Sequence, residues 1–242
     1  MFEKVYNTNF ELEDKYWWFV ARNKIVFELT KRLTNISNGD FVLDFGCGTG
    51  GFASLLAKNY NVIGLDPSPI AIEYCKKRGL QNIFQSTLDD FTKPEYPLKA
   101  IFALDVIEHI DNDLNTLQKL YNLLAKDGYL IVTVPAYQWL WSNHDILHMH
   151  KRRYNKKTLS NALKQANFKV SFISYFNFFL FLPALVTRIF ERKQSIENTP
   201  PVAPVSDFMN KILKQIFLIE KYFLPFVSFP FGLSLIAIAK KS

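Results

Sequence analysis

Apolar residues in this chain follow two rhythms. Short, mostly apolar runs occupy 41–45, 61–66, 83–85, 100–104, 129–134, 168–175 and 233–239. Between them apolar residues recur every three or four positions: Ile25, Val26, Leu29 and Leu33; Phe52, Leu55 and Leu56; Leu114, Leu117, Leu120, Leu123 and Leu124; Leu159, Leu163 and Ala166. Runs of that length predict strands covered on both faces, and helical spacing predicts helices with one buried face. Ser68-Pro69 predicts the start of a helix over 69–78. Asp111-Asn112-Asp113 opens the next, which Lys126-Asp127-Gly128 closes, and Thr158 caps one that Asn167 ends. Strands alternating with helices predict an α/β fold with a doubly wound, mostly parallel, seven-stranded sheet. Ligands of such sheets bind beyond the strands' carboxyl ends, where Asp44, Asp66, Leu104-Asp105 and Pro135 stand.

The pattern changes after the sixth run. Residues 176–232 separate it from the last strand, a connection long enough to carry its own structure. Twelve of the 23 Phe lie between Phe172 and Phe231. A helix is predicted over 184–192, then a proline cluster over 199–204, then a second helix with Phe208, Ile212, Ile216, Ile219 and Phe223 on one face and Lys211, Lys214 and Lys221 between them. Three readings stand: a helical hairpin extending the core or a homodimer interface, a peripheral membrane anchor flanked by Arg188, Arg192 and Lys193, and a lid for a lipid-like ligand.

Composition narrows the classes. A chain of 242 residues with 49% hydrophobic positions supports one α/β domain with an elaboration. The net charge of +7 favours anionic partners. Two cysteines make no disulfide framework, so a reducing cytoplasm is expected, and no signal peptide or spanning run is read at this stage.

The first run empties into Gly46-Cys47-Gly48-Thr49-Gly50-Gly51, a strand–turn–helix site of nucleotide size. Asp66, ending the next strand, is placed to bond the two hydroxyls of a ribose. Gly46, Gly48 and Gly51 formally fit a dinucleotide fingerprint. Asp44 argues against it, because a carboxylate beside the turn repels a pyrophosphate and suits a ligand bearing an ammonium group. Asp44-x-Gly46-x-Gly48-x-Gly50 resembles motif I of the class I S-adenosylmethionine-dependent methyltransferases. That resemblance implies a Rossmann-like sheet and S-adenosylmethionine as cofactor, held by Asp44, Gly46, Cys47, Gly48, Gly50, Asp66 and Pro67, with Leu104 at the fourth strand's end. It places the adenine at Thr87, Leu88 and Asp89, with Thr87 where many members carry Asp. The segments become a helical lid (1–38), the cofactor-binding domain (39–175), the apolar insertion (176–232) and the returning strand (233–242).

Two further stretches bear on chemistry. In Trp17-Trp18-Phe19-x-x-Arg22 one helical turn separates Trp18 from Arg22, so both can face one ligand, with Arg22 on the cofactor's carboxylate; Trp17 reads equally as a core aromatic. The arrangement resembles a bacterial subgroup of these methyltransferases. After the fifth strand, 135–154 holds three of the four histidines. His144, Asp145, His148 and His150 are metal-ligand types, but no H-E-x-x-H or cysteine pair accompanies them, so no metal is expected. The alternatives are a loop whose polar groups satisfy one another, and an acceptor site. In the second, His150 or His109 (in Glu108-His109, which resembles motif IV) takes or steers a proton, and Arg152 or Arg153 grips an acidic group. His150-x-Arg152-Arg153-Tyr154 resembles the same subgroup. The expected function is methyl transfer to a small acidic or lipid-like acceptor. Nucleic-acid methylation, prompted by the charge, lacks a separate basic binding domain, and an inactive adaptor does not explain the intact glycines and acids.

Overall fold

The computed structural model describes residues 3–191, 200 and 202–242. Seven strands, β1 (Phe41–Phe45), β2 (Asn61–Asp66), β3 (Ile83–Gln85), β4 (Leu98–Leu104), β5 (Leu124–Pro135), β6 (Lys169–Phe176) and β7 (Ser234–Lys240), form one sheet in the order β3-β2-β1-β4-β5-β7-β6. β1 to β5 pair in parallel and β7 runs antiparallel to both its neighbours. This is the expected Rossmann-like methyltransferase architecture. Strand order reverses between β1 and β4, which opens a crevice at their carboxyl ends. The middle strands are buried on both faces, with Val42, Leu43, Ile101, Phe102, Ile131 and Ile236 at the centre, which is why they read as unbroken apolar runs.

The helices are α1 (Glu3–Leu12), α2 (Trp17–Leu33), α3 (Gly51–Leu56), α4 (Pro69–Lys77), α5 (Asp113–Leu123), α6 (Asn143–Leu147), α7 (Lys156–Gln165), α8 (Phe181–Glu191) and α9 (Asp207–Phe223). Two boundaries differ from the sequence reading for identifiable reasons. α5 stops at Leu123 because the Lys241 ammonium binds the carbonyls of Tyr121 (2.7 Å) and Leu124 (2.8 Å). Residues 124–128 then join β5, with Leu124 paired to Leu98. α7 is capped by Asn155, not Thr158. Asn155 Oδ1 accepts from the Thr158 N–H and Thr158 Oγ1 accepts from the Asn155 N–H, a reciprocal capping box with Thr158 one turn inside.

α1 lies against α4. Phe10 stacks on Tyr74 at 4.2 Å, and Arg78 pairs with Glu13 and Asp14. α9 lies against α2: Asn210 accepts from the Trp17 N–H (2.7 Å) and donates to Lys15 O (2.9 Å), and Phe217 packs edge-on to Trp17 and on Phe176. The inner face of the insertion is therefore core. Its outer face is apolar and open, with Phe208 73%, Phe226 80% and Leu182 67% exposed. Arg192, Lys193 and Thr199 lie outside the described residues. No helix among the described residues is long and apolar enough to cross a membrane.

Candidate functional site

A cavity of about 930 Å³ opens where the ends of β1, β2, β4 and β5 meet. Asp44, Asp66, Leu104, Asp105 and Pro135 line it, as their places at the strand ends require. α1 and α2 roof it through Tyr6, Asn9, Glu13, Trp18 and Arg22, and the insertion closes it through Ala184, Thr187, Pro200, Val202 and Ala203.

The glycine turn forms one half. Gly46, Gly48 and Gly50 have φ of 72°, 54° and 84°, which side-chain-bearing residues rarely adopt. A Cβ on Gly46 would strike Val106 at 2.5 Å, whereas one on Gly48 would project into open space beside the cavity. Asp66 accepts N–H bonds from Gly48 (3.0 Å) and Ser68 (2.9 Å), which lock the carboxylate; burial raises its pKa and those two bonds oppose the rise. Asp44 is buried, and its Oδ2 meets no donor among the described residues. Burial lifts its pKa to about 7 against the pull of Arg22. An unpartnered, half-ionised carboxylate in this position fits a ligand that brings a cation, as an S-adenosyl amino acid does. Arg22 Nη1 pairs with Asp105 Oδ2 at 3.3 Å and its guanidinium lies 5.0 Å from the Trp18 ring, while its Nε meets no acceptor among the described residues. The residues present thus fit the cofactor at both its charged ends. Cys47 and Pro67 line the same wall; the hydrogen bond with Cys75 and then burial raise the pKa of the Cys47 thiol, its Sγ 4.0 Å from that of Cys75.

Thr87, Leu88 and Asp89 all line the cavity, but the Thr87 hydroxyl donates to Asp90 Oδ2 (2.7 Å) and Asp89 is paired with Lys119. Asp90 and Lys119 thus hold two of the three side chains expected around the adenine.

Because Asp44 sits near half ionisation, affinity for S-adenosylhomocysteine is expected to rise as pH rises through about 7 and to level off above it. Below that pH the carboxyl must lose a proton for the ammonium to bind. Calorimetry from pH 6 to 8.5 should show the slope, and Asp44→Asn should flatten it.

The other half of the cavity carries Glu108, His109, His144, His148 and His150. The His109 and His150 ring centroids are 4.7 Å apart and those of His144 and His148 are 4.1 Å apart. Burial and the neighbouring His150 and His148 depress the His109 pKa to about 3, which favours the neutral ring. His150 Nδ1 lies 2.8 Å from Asp145 Oδ1.

Both arginines are bonded within the protein, and Arg153 also lines the cavity. Arg153 binds Asp145 through Nε (2.7 Å) and Nη2 (2.8 Å) and donates to Ala136 O through Nη1 (3.0 Å). Arg152 pairs with Asp113 (2.9 Å) and donates to Asp111 O, and the Tyr154 hydroxyl donates to Asp113 Oδ2 (2.6 Å). The run His150–Tyr154 is therefore a clamp. It ties 135–154 to the end of β5 and the start of α5 and presents His150 to the cavity, with Arg153 lining the same wall. Asp145 is fully buried; burial alone would raise its pKa, but the bonds from His150 and Arg153 hold it ionised, well below the usual range.

Sequence reasoning placed 1–38 in a helical lid but singled out no residue of α1, and it missed Glu108's place in the wall. Tyr6, whose pKa burial and Asp66 push up to about 12, and Glu13, bonded to the Thr49 hydroxyl, belong to a segment with one buried apolar residue, Val5, too few to mark a periodic face. Glu108 is completely buried, with neither carboxylate oxygen meeting a donor from another described residue.

A family model described as a methyltransferase domain matches residues 19–171, more than half of the chain. A Mycolicibacterium smegmatis protein named as a probable S-adenosylmethionine-dependent methyltransferase is 26% identical over 162 residues, covering 65% of this chain and 61% of that protein. Trans-aconitate 2-methyltransferase of Escherichia coli is 28% identical over 136 residues, covering 54% and 53%. The aligned stretches thus span less than two thirds of either relative. The N-methyltransferase NodS of Bradyrhizobium japonicum, solved in complex with S-adenosyl-L-homocysteine, superposes with a TM-score of 0.57 at 14% identity, covering 99% of each chain, which is a likeness of fold.

Proposed function

Because the chain belongs to the methyltransferase-domain family, we propose that it transfers the methyl group of S-adenosylmethionine to a small acceptor with an apolar body that enters between the insertion and the histidine wall. The carrying observation is that a single cavity runs from Asp66 to His150. When bound, the cofactor supplies a methyl group on a sulfonium, which reacts by in-line displacement. The chain's part is alignment and proton handling. Asp66 fixes the ribose hydroxyls, Asp44 and Arg22 take the amino and carboxylate ends, and the Leu88 backbone meets the adenine. His150, oriented by Asp145, faces the acceptor end of the cavity. A lipid-like acceptor is favoured over an acidic one, since Arg152 and Arg153 each already pair with an aspartate and Ala184, Val202 and Leu233 line the cavity. Labelled cofactor supplied with cell extract should put label into the organic phase; label confined to the aqueous phase would contradict the apolar acceptor.

A second reading concerns the insertion's outer face. Phe208, Phe226, Leu182 and Val186 stand exposed on α8, α9 and the segment after α9, with Lys211, Lys214 and Lys221 on α9. This combination suits peripheral contact with an anionic bilayer. The full chain should float with anionic vesicles at low salt, and Phe208→Ser with Phe226→Ser should lower the bound fraction about tenfold or more.

A further inference from the structure

All four histidines of the chain, His109 in one segment and His144, His148 and His150 in another, meet on one wall of the cavity. We propose that Glu108, His109 and His150 bind a first-row divalent cation, of the zinc, cobalt or manganese kind, at the acceptor end of that cavity. One potential ligand atom from each of the three lies within 4.8 Å of the others. Ligands about 2.1 Å from a shared ion stand roughly 3.4 Å apart, so side-chain rotations of about an ångström complete the shell.

Two independent features point to a cation rather than to a satisfied polar cluster. Glu108 is completely buried, lines the cavity, and has no donor from another described residue on either oxygen. A carboxylate there is costly unless a positive charge meets it. His150 has its Nδ1 against Asp145, which Arg153 holds from the other side. A ring tied in this way offers Nε2 as the donor, the arrangement by which an outer carboxylate orients a ligating histidine. Asp145 is thus the orienting partner and not a ligand, which revises the sequence-level ligand set of His144, Asp145, His148 and His150.

Two imidazoles and a carboxylate, without thiolate, select borderline divalent ions. Three protein ligands leave positions open toward the cavity for an oxygen of the acceptor, whose proton is then lost more easily. This last role deepens the methyl-transfer reading and rests on it; the binding of the ion does not.

The test is titration of chelator-stripped full-length protein with Co²⁺ and Zn²⁺, followed by visible absorption and calorimetry. One ion per chain is expected. Glu108→Gln and His150→Ala should each weaken binding at least tenfold, and Asp145→Asn, which leaves all three ligands in place, should weaken it roughly tenfold or more. Binding of S-adenosylhomocysteine under chelator serves two purposes. It confirms that each variant is folded, and it tests the methyl-transfer reading apart from the ion. If Glu108→Gln does not fold, His150→Ala carries the test. Substoichiometric binding, or wild-type affinity in the folded variants, would overturn the proposal.

Discussion

Asp66→Ala should weaken binding of S-adenosylhomocysteine by roughly two orders of magnitude or more. Asp66 is the one carboxylate at the end of β2, and its two oxygens are held by the N–H groups of Gly48 and Ser68. That fixation is what makes it useful. The carboxylate arrives pre-aimed, so two ribose hydroxyls can donate to it without ordering a side chain first. Hydrogen bonds to a charged acceptor contribute about 1.5–3 kcal/mol each, and two of them account for the expected loss. The Ala variant also frees the Gly48 and Ser68 N–H groups, so part of its effect is loosening of the turn. Asp66→Asn separates the two: it retains one carbonyl acceptor and should fall between wild type and Ala in calorimetry. Asn equal to Ala would mean that charge, not hydroxyl geometry, dominates.

Glu220→Ala should lower stability by about 2–5 kcal/mol, a fall in Tm of roughly 5–15 °C. Glu220 is fully buried on α9, yet it reaches across to accept three consecutive N–H groups after β6: Asn177 (2.7 Å), Phe178 (2.7 Å) and Phe179 (3.2 Å). Removing it leaves the buried Asn177 N–H without a partner and cuts the polar tie between the insertion and the sheet. Burial lifts its pKa to about 7, against the three N–H bonds. A carboxyl whose folded pKa lies above its unfolded value stabilises fully below about 4.5, and that contribution is lost as pH rises through about 7. The destabilisation by Glu220→Gln should therefore be larger at pH 5 than at pH 8 when followed by thermal melts.

The sheet was legible because its central strands are buried on both faces and so appear as unbroken apolar runs; Ala100 to Leu104 and Leu235 to Ala239 need no partner information to be read. That Asp44, the glycine turn and Asp66 share one cavity was legible for a local reason too, since they sit at strand ends within a short stretch of chain. What sequence could not give is pairing at a distance. The end of α5 depends on Lys241, more than a hundred residues later. Arg153 reads as an anion grip in the sequence, and only the structure shows that Asp145, on the preceding helix, is bonded to two nitrogens of its guanidinium. Glu108 reads as half of a motif, and only the structure reveals that neither of its buried oxygens meets a donor from another described residue. The insertion shows the same limit: its apolar stripe was plain, but that Phe217 and Glu220 face the core while Phe208 and Phe226 face outward follows from where α2 lies.

The most direct measurement of the whole account is a crystal structure of this chain with S-adenosylhomocysteine. The account predicts both ribose hydroxyls on Asp66, the amino group beside Asp44, and the sulfur turned toward Glu108, His109 and His150. A nucleoside bound with its ribose away from Asp66, or with its sulfur pointing away from the histidine wall, would contradict it.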